Sequence, residues 1–203
     1  MKIALIGASG NVGSRIAAEA VARGHRVTGI ARHVERITAR PGLDAVAGDI
    51  SDPRALAGVL AGHDVVVSSV RFVGLDLGRL LQALELAGRP RLLMVGGAGS
   101  LKTAAGTMLV DAPNFPEPIK AEARAGAEVL RRLREQDAID WTFLSPSALF
   151  APGVRTGHFR LGGDELLVDA QGKSHVSQED YAVAMLDEIE TPRHRRRRFT
   201  VGY

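Results

Sequence analysis

The amino-acid sequence predicts an α/β fold: a doubly wound, mostly parallel sheet flanked by helices, read as one domain over residues 1–203 with a small substrate-side segment at 150–203. Three observations predict it. Short apolar runs alternate with stretches of helical period along most of the chain. The run Asp64-Val65-Val66-Val67-Ser68-Ser69-Val70 is almost continuously apolar, as a strand buried on both faces of a parallel sheet must be. The first apolar run, Lys2 to Ile6, breaks into Gly7-Ala8-Ser9-Gly10-Asn11-Val12-Gly13 and then into a helix pattern.

That opening stretch has the form strand, phosphate-binding turn, helix N-terminus. Gly7 turns sharply out of the strand, Gly10 lets backbone approach a pyrophosphate, and Gly13 lets the helix pack on the sheet. The free N–H groups and the positive end of the helix dipole, at Ser9 to Gly13, then face the anion. A helix is expected from Val12 to Arg23, closed by Gly24, and a second strand over Arg26–Ala31. Arg32 follows about twenty residues after Gly13, where an acidic side chain would bind the ribose of NAD and an arginine instead suits the 2′-phosphate of NADP. NADP(H) is therefore the preferred cofactor, with NAD(H) possible.

Leu43 to Ile50 is expected as the third strand, with Asp49 and Ile50 at the adenine end. Ser51-Asp52-Pro53 caps a helix closed by Gly62. The carboxyl end of the next strand, Ser68-Ser69-Val70, should lie by the cofactor, since ligands in open α/β sheets bind beyond the carboxyl ends of the strands. A leucine-rich core helix over Asp76–Ala87 ends at Gly88, and Arg91 to Gly97 forms a fifth strand. Ala98 to Pro116 has no period and is long enough to be a substrate wall, beginning at Gly97 and Ala98. Glu117 to Glu135 is a helix with Ala123, Ala127, Leu130 and Arg134 in one stripe with Lys120, and Trp141 to Leu144 is a strand leading into Ser145-Pro146-Ser147.

Beyond residue 150, Phe159-Arg160-Leu161 and Glu165 to Val168 around Gly162-Gly163-Asp164 suggest a hairpin. Ser177-Gln178-Glu179-Asp180 resembles a capping box before a helix through Glu190, with Asp at the reciprocal position. Phe199-Thr200-Val201 closes the sheet, and the arginines at 195–198 read as a solvated strand edge rather than a nucleic-acid or lipid patch.

Composition narrows the chemistry. With 45% apolar and 24% charged residues the chain can bury a sizeable core, and the absence of cysteine excludes disulfides, thiol catalysis and thiolate-bound metals. The six histidines are scattered without ligand spacing, so no metal site is expected. No leader precedes the first strand and no apolar run reaches the roughly 18 residues of a membrane span. A cytoplasmic monomer or homodimer that binds neither membrane nor nucleic acid is the expectation.

The spacing G-x-x-G-x-x-G resembles that of the short-chain dehydrogenase/reductase superfamily. The resemblance implies a Rossmann-type domain and, in typical members, a Tyr-x-x-x-Lys pair whose tyrosine protonates the product while the lysine holds the nicotinamide ribose. Here Lys120 falls on the lysine position and Pro116 on the tyrosine position. Tyr181 is followed four residues later by Met185, which leaves it as a packing residue. Val95 to Leu101, Asp140 to Ser147, Pro152 to Gly157 and Ser177 to Ala182, taken with the glycine motif, look like the NADH-flavin reductases, small atypical members of the superfamily similar to the flavin reductase that also reduces biliverdin-IXβ. That likeness implies reduction of a free flavin, as substrate rather than bound cofactor, or of a quinone-like acceptor. It places Gly7, Gly10 and Gly13 on the pyrophosphate, Arg32 on the 2′-phosphate, Ser68 and Ser69 beside ribose, Ser145 to Ser147 on the nicotinamide, and Arg155 and Thr156 at the substrate mouth. A flavin or quinone stabilises its own charge after hydride transfer, which suits a site without the tyrosine. A non-catalytic NADP(H) sensor would lack it too, and an isomerase or epimerase of sugar nucleotides is disfavoured by the short C-terminal part.

Overall fold

The computed structural model describes residues 1–203. Ten strands and five α-helices follow in the order β1 (Lys2–Ile6), α1 (Asn11–Ala22), β2 (Arg26–Ala31), β3 (Leu43–Ala47), α2 (Pro53–Leu60), β4 (Val65–Ser68), α3 (Leu77–Leu86), β5 (Arg91–Val95), α4 (Glu117–Glu135), β6 (Trp141–Ser145), β7 (Leu149–Ala151), β8 (Arg160–Gly162), β9 (His175–Ser177), α5 (Gln178–Glu190) and β10 (Arg197–Gly202). The main sheet has the order β3-β2-β1-β4-β5-β6-β10-β8, and β7 and β9 form a separate parallel pair. Every pairing described in the main sheet is parallel except that of β10 with β8. This is the doubly wound architecture expected. No helix is long and apolar enough to cross a membrane.

The chain divides into two compact units, one of residues 1–70, 74–94 and 136–141, the other of 71–73, 95–135 and 142–203. In the first unit β1 sits between β2 and β4, in register Ile6↔Ile30 and Ile6↔Ser68. Strand order therefore reverses at β1, which makes the carboxyl ends of β1 and β4 a topological switch point. Ile3, Leu5, Val66 and Val67 are fully buried there, as continuous apolar runs require. Helix ends follow their caps: Asp52 and Asp76 accept from the N–H groups three residues on, and Gly24, Gly62 and Gly88 take positive φ just beyond α1, α2 and α3.

In the second unit α4 buries Gly126, Val129, Leu130 and Leu133. Of the stripe through Lys120, Ala123, Ala127, Leu130 and Arg134, only Leu130 is buried; Ala123 and Ala127 are half-buried and Arg134 is exposed, because the larger aliphatics at 129, 130 and 133 set which side turns inward. Phe72 stacks on Phe143 with ring centroids 5.9 Å apart. Gly126 makes that possible, since a Cβ there would lie 2.9 Å from the Phe72 ring. The Glu122 carboxylate fixes the same segment by accepting from Phe72 N at 2.6 Å and Val73 N at 3.1 Å.

Three local expectations are corrected. No hairpin joins 159–161 to 165–168: β8 pairs with β10, through Thr200↔Gly162 and Val201↔Leu161, and the later segment bonds instead to Lys102, which donates to Asp164 O and accepts from Leu166 N. The capping box is half formed. Ser177 Oγ accepts from Asp180 N, but the Asp180 carboxylate takes hydrogen bonds from Thr156, Gly157 and the Tyr203 hydroxyl instead of reaching back to Ser177 N. Finally, Arg195 to Arg197 are exposed as expected, but the strand they lead into is not an edge: β6 and β8 flank β10, and Arg198 in it is buried.

Candidate cofactor and acceptor site

The glycine turn is closed on itself and on the end of β4. Gly7 has φ of +84° and its N–H donates to Ile30 O at 2.8 Å, while Gly10 N donates to Gly7 O at 3.0 Å. A Cβ on Gly7 would lie 2.3 Å from Ser69 O, and one on Gly13 would lie 2.2 Å from Gly7 O. In both places the neighbour is backbone, so any larger residue must displace the main chain. Gly10 is the N-cap of α1 and has no side-chain cap, and no acidic residue stands in the first turn. The helix thus presents its unpaired N–H groups with nothing negative beside them, which is the condition for taking a phosphate.

Ser9 and Asn11 are exposed and Val12 half-buried along this turn. The Asn11 carbonyl is already used, accepting from Arg15 Nη1 at 2.7 Å and Ser14 Oγ at 3.0 Å, so Asn11 offers its N–H and amide. Ser69 N is tied to Ile6 O at 2.8 Å, and Ser69 and Val70 are half-buried. The Ser68 hydroxyl is buried at the end of β4 without a hydrogen-bond partner.

Arg32 follows β2 directly and is exposed, as is Arg36. Asp49 lies beyond the end of β3, two residues after Ala47, with Ile50 half-buried next to it. The Asp49 carboxyl is held below its ordinary range, chiefly by the Ser51 N–H at 2.8 Å; slight burial opposes this, and the Ser51 hydroxyl and the positive charge of Arg32 add to it. Arg32 and Asp49 are therefore electrostatic neighbours at the edge where adenosine is expected.

In the second unit Gly97 and Ala98 follow β5; Gly97 is half-buried and Ala98 lies beside it, and a Cβ on Gly97 would have only the Phe72 ring near it, at 3.7 Å. Lys120, in the first turn of α4, pairs through Nζ with Glu117 at 3.1 Å and is partly exposed. Ser145, Pro146 and Ser147 are buried. Ser147 Oγ donates to Val201 O at 3.0 Å and Ser145 Oγ accepts from Arg198, so these two hydroxyls serve the seam with β10. What this stretch has left for a ligand is backbone. Arg155 and Thr156 are exposed, but Thr156 is pinned to Asp180 by its N–H at 2.8 Å and its hydroxyl at 2.5 Å. Burial alone would raise the Asp180 carboxyl; the bonds from Thr156, Tyr203 and Gly157 outweigh it and hold the group below the usual carboxylate range.

Sequence reasoning missed two features here. One is the Asp180 cluster, which draws on residues far apart in the chain. The other is Arg198, concealed in a run of like charges.

A family model described as NAD(P)H-binding matches residues 7–192. The chain belongs to that family. Its fold is correspondingly that of NAD(P)H-binding, oxidoreductase-like proteins, and the glycine cradle and the acid-free helix start fit such a cofactor. Among relatives, it is 41% identical over 211 residues to the uncharacterized protein YwnB of Bacillus subtilis, covering 99% of this chain and 98% of that one. Two crystal structures resemble it along its whole length. One, from Bacteroides thetaiotaomicron and described as a "putative epimerase", is 44% identical with a TM-score of 0.93, covering 100% of this chain and 96% of that one. The other, from Streptococcus pneumoniae and described as a "putative NADH-flavin reductase", is 34% identical with a TM-score of 0.87, covering 100% and 99%.

Proposed function

We propose that this NAD(P)H-binding chain is a cytoplasmic oxidoreductase that prefers NADPH and passes hydride to a free flavin or a quinone-like planar acceptor without a tyrosine acid. The observation that carries the reading is the commitment of both tyrosines in the chain. Tyr181 is wholly buried and its hydroxyl is spent on Leu144 O and Gly96 N. The Tyr203 hydroxyl is spent on Asp180 and Ser177. With both hydroxyls so committed, neither tyrosine is free to protonate an alkoxide, and by the resemblance to the superfamily Pro116 falls on its tyrosine position.

Bound reduced nicotinamide supplies a hydride, two electrons with one proton. The chain's residues then have the work of holding and orienting. The N–H groups of the 7–13 turn grip the pyrophosphate, Arg32 pairs with a 2′-phosphate, and Asp49 keeps that guanidinium at the adenosine edge. Lys120, steadied by Glu117, grips the nicotinamide ribose. The backbone of Ser145 to Ser147 and the small residues Gly97 and Ala98 leave space for a flat ring, with Arg155 at its mouth. A ketone needs a proton donor as its alkoxide forms, whereas a flavin or quinone spreads the charge and takes its proton from water. The description of the Streptococcus relative agrees with this reading. Epimerisation, the description of the Bacteroides relative, needs a proton-transferring group that the two committed tyrosines do not supply.

The test is an acceptor panel monitored by loss of reduced-nicotinamide absorbance. FMN, riboflavin and a small quinone should support turnover proportional to protein, and simple ketones and aldehydes should not. Turnover of ketones alone would overturn the proposal.

A further inference from the structure

The arginine run at the start of β10 hides one side chain that is not surface charge. Strand alternation turns Arg198 and Thr200 to the side of Ser145, and the Arg198 side chain is only 2% exposed. Its guanidinium is shared among three segments of the second unit. Nε donates to Asp164 Oδ1 at 2.6 Å, with Nη2 on the same carboxylate oxygen and on Asp164 O at 3.3 Å. Nη1 reaches Ser100 Oγ and Ser145 Oγ, both at 3.4 Å, and Nη2 reaches Ser100 O at 3.5 Å. The contacts to Asp164 are short and strong; those to the serines are long and direct placement more than they add energy.

Asp164 is itself gripped from outside by Arg134 of α4 at 2.8 Å. Burial would raise its carboxyl, and the two guanidinium groups more than reverse that. The next link is backbone: Lys102 N donates to Asp164 O and Lys102 O accepts from Leu166 N at 2.8 Å. The far arm of the loop then closes on the near arm, with Leu109 N on Leu101 O at 2.8 Å and Val110 N on Gly99 O at 2.9 Å. Leu101 and Val110 are buried beneath it. The segment after β5 is a braced wall rather than a free lid, and the braces at Ser100 and Lys102 on its near arm lead back to Arg198 and Asp164.

We propose that Arg198 is a positioning residue for acceptor reduction: by bridging Asp164, Ser100 and Ser145 it sets the shape of the 97–110 wall against which the planar acceptor rests. This rests on the reductase reading above. A planar fork with five donors can serve three segments at once; a lysine at the same place can hold Asp164 but cannot also span both serines. The wall should therefore loosen in Arg198→Lys while the buried positive charge and its partner are kept.

The experiment compares wild type, Arg198→Lys and Arg198→Met in three readouts: NADPH affinity by titration, steady-state kinetics with riboflavin and a small quinone, and backbone amide exchange over 97–110. For Arg198→Lys the expected result is NADPH affinity within about twofold, KM for the acceptor raised about tenfold with a smaller change in kcat, and faster exchange at Leu101 to Val110. Arg198→Met, which removes the buried guanidinium and leaves Asp164 with Arg134 alone, should lose folding stability as well. If Arg198→Lys matches wild type in acceptor KM, or loses NADPH affinity as much as acceptor affinity, Arg198 is scaffold and the proposal falls. If wild type reduces no acceptor, the reductase reading fails, and exchange at 97–110 unchanged in Arg198→Lys then also removes the positioning role.

Discussion

The Tyr181 hydroxyl lies 2.7 Å from the carbonyl oxygen of Leu144, to which it donates, and it accepts from Gly96 N at 3.2 Å. Gly96 N also donates to Leu144 O at 2.8 Å, so the three groups close a small ring at the carboxyl end of β6. Complete burial pushes the phenol well above its ordinary range, with the Gly96 N–H opposing only in part. Tyr181 is a strap inside the second unit, and it does not titrate in any working pH range. Tyr181→Phe should lower stability by about 1 kcal/mol, since Gly96 and Leu144 keep each other as partners. The shape of the kcat pH profile should not change. Denaturant titration and a pH-rate series check the two parts, and loss of an acidic or basic limb in the variant would make Tyr181 an acid after all.

The glycine turn gives a sharper prediction. Gly7→Ala forces an L side chain into φ of +84° with its Cβ 2.3 Å from Ser69 O, and Gly13→Ala drives one to 2.2 Å from Gly7 O. Either change must displace backbone at the switch point. NADPH affinity should fall at least about tenfold in each, with the cost of strain of order 1–3 kcal/mol in stability for Gly7→Ala. Calorimetric titration reads the first and thermal unfolding the second. Affinity within twofold of wild type in both variants would show that the turn does not hold the cofactor.

Asp180 makes stability depend on pH. Its folded pKa is lowered, so its contribution is present above the unfolded value near 3.8 and is lost as pH falls through that value and below. Asp180→Asn cannot titrate there and should show a shallower loss of stability between about pH 5 and pH 3 than wild type, from a lower starting point at neutral pH. Tyr203→Phe, which removes one donor to the same carboxylate, should fall between the two. Parallel acid limbs for wild type and Asp180→Asn in urea unfolding would contradict this.

Much of the fold was legible because each signal was local. The runs at β1, β2 and β4 announce strands by continuous burial, and Gly24, Gly62 and Gly88 announce helix ends by the backbone conformation that only glycine takes easily. The proposed cofactor contacts could be read locally for the same reason, since Gly7 to Gly13 and Arg32 lie within one βαβ unit. The rest depends on partners distant in sequence. Residues 165–168 have a strand's composition, yet Lys102 takes their bonds and β10 takes those of β8. Asp180 stands where a capping box wants its acid, but Thr156, Gly157 and Tyr203 compete for it successfully. Arg198 looks like its neighbours Arg196 and Arg197 until strand alternation and Asp164 turn it inward. No periodicity in the chain reports any of these.

The cofactor assignment rests on one exposed side chain. Arg32→Ala should cut the preference for NADPH over NADH by about tenfold or more, mostly by weakening NADPH, because the lost contact is a charge-assisted pair with the 2′-phosphate. Equal losses for both cofactors would mean that Arg32 supports the turn rather than reads the phosphate.

Hydride transfer to a planar acceptor without a tyrosine acid is the reaction proposed for this protein. The most direct measurement is anaerobic oxidation of NADPH by riboflavin and by a small quinone, run beside a binding titration of NADPH and repeated with the double variant Tyr181→Phe/Tyr203→Phe. Turnover proportional to protein, with a pH profile unaltered in the double variant, is the predicted result. Saturable NADPH binding with no oxidation by either acceptor would contradict it and leave a protein that senses the cofactor without using it.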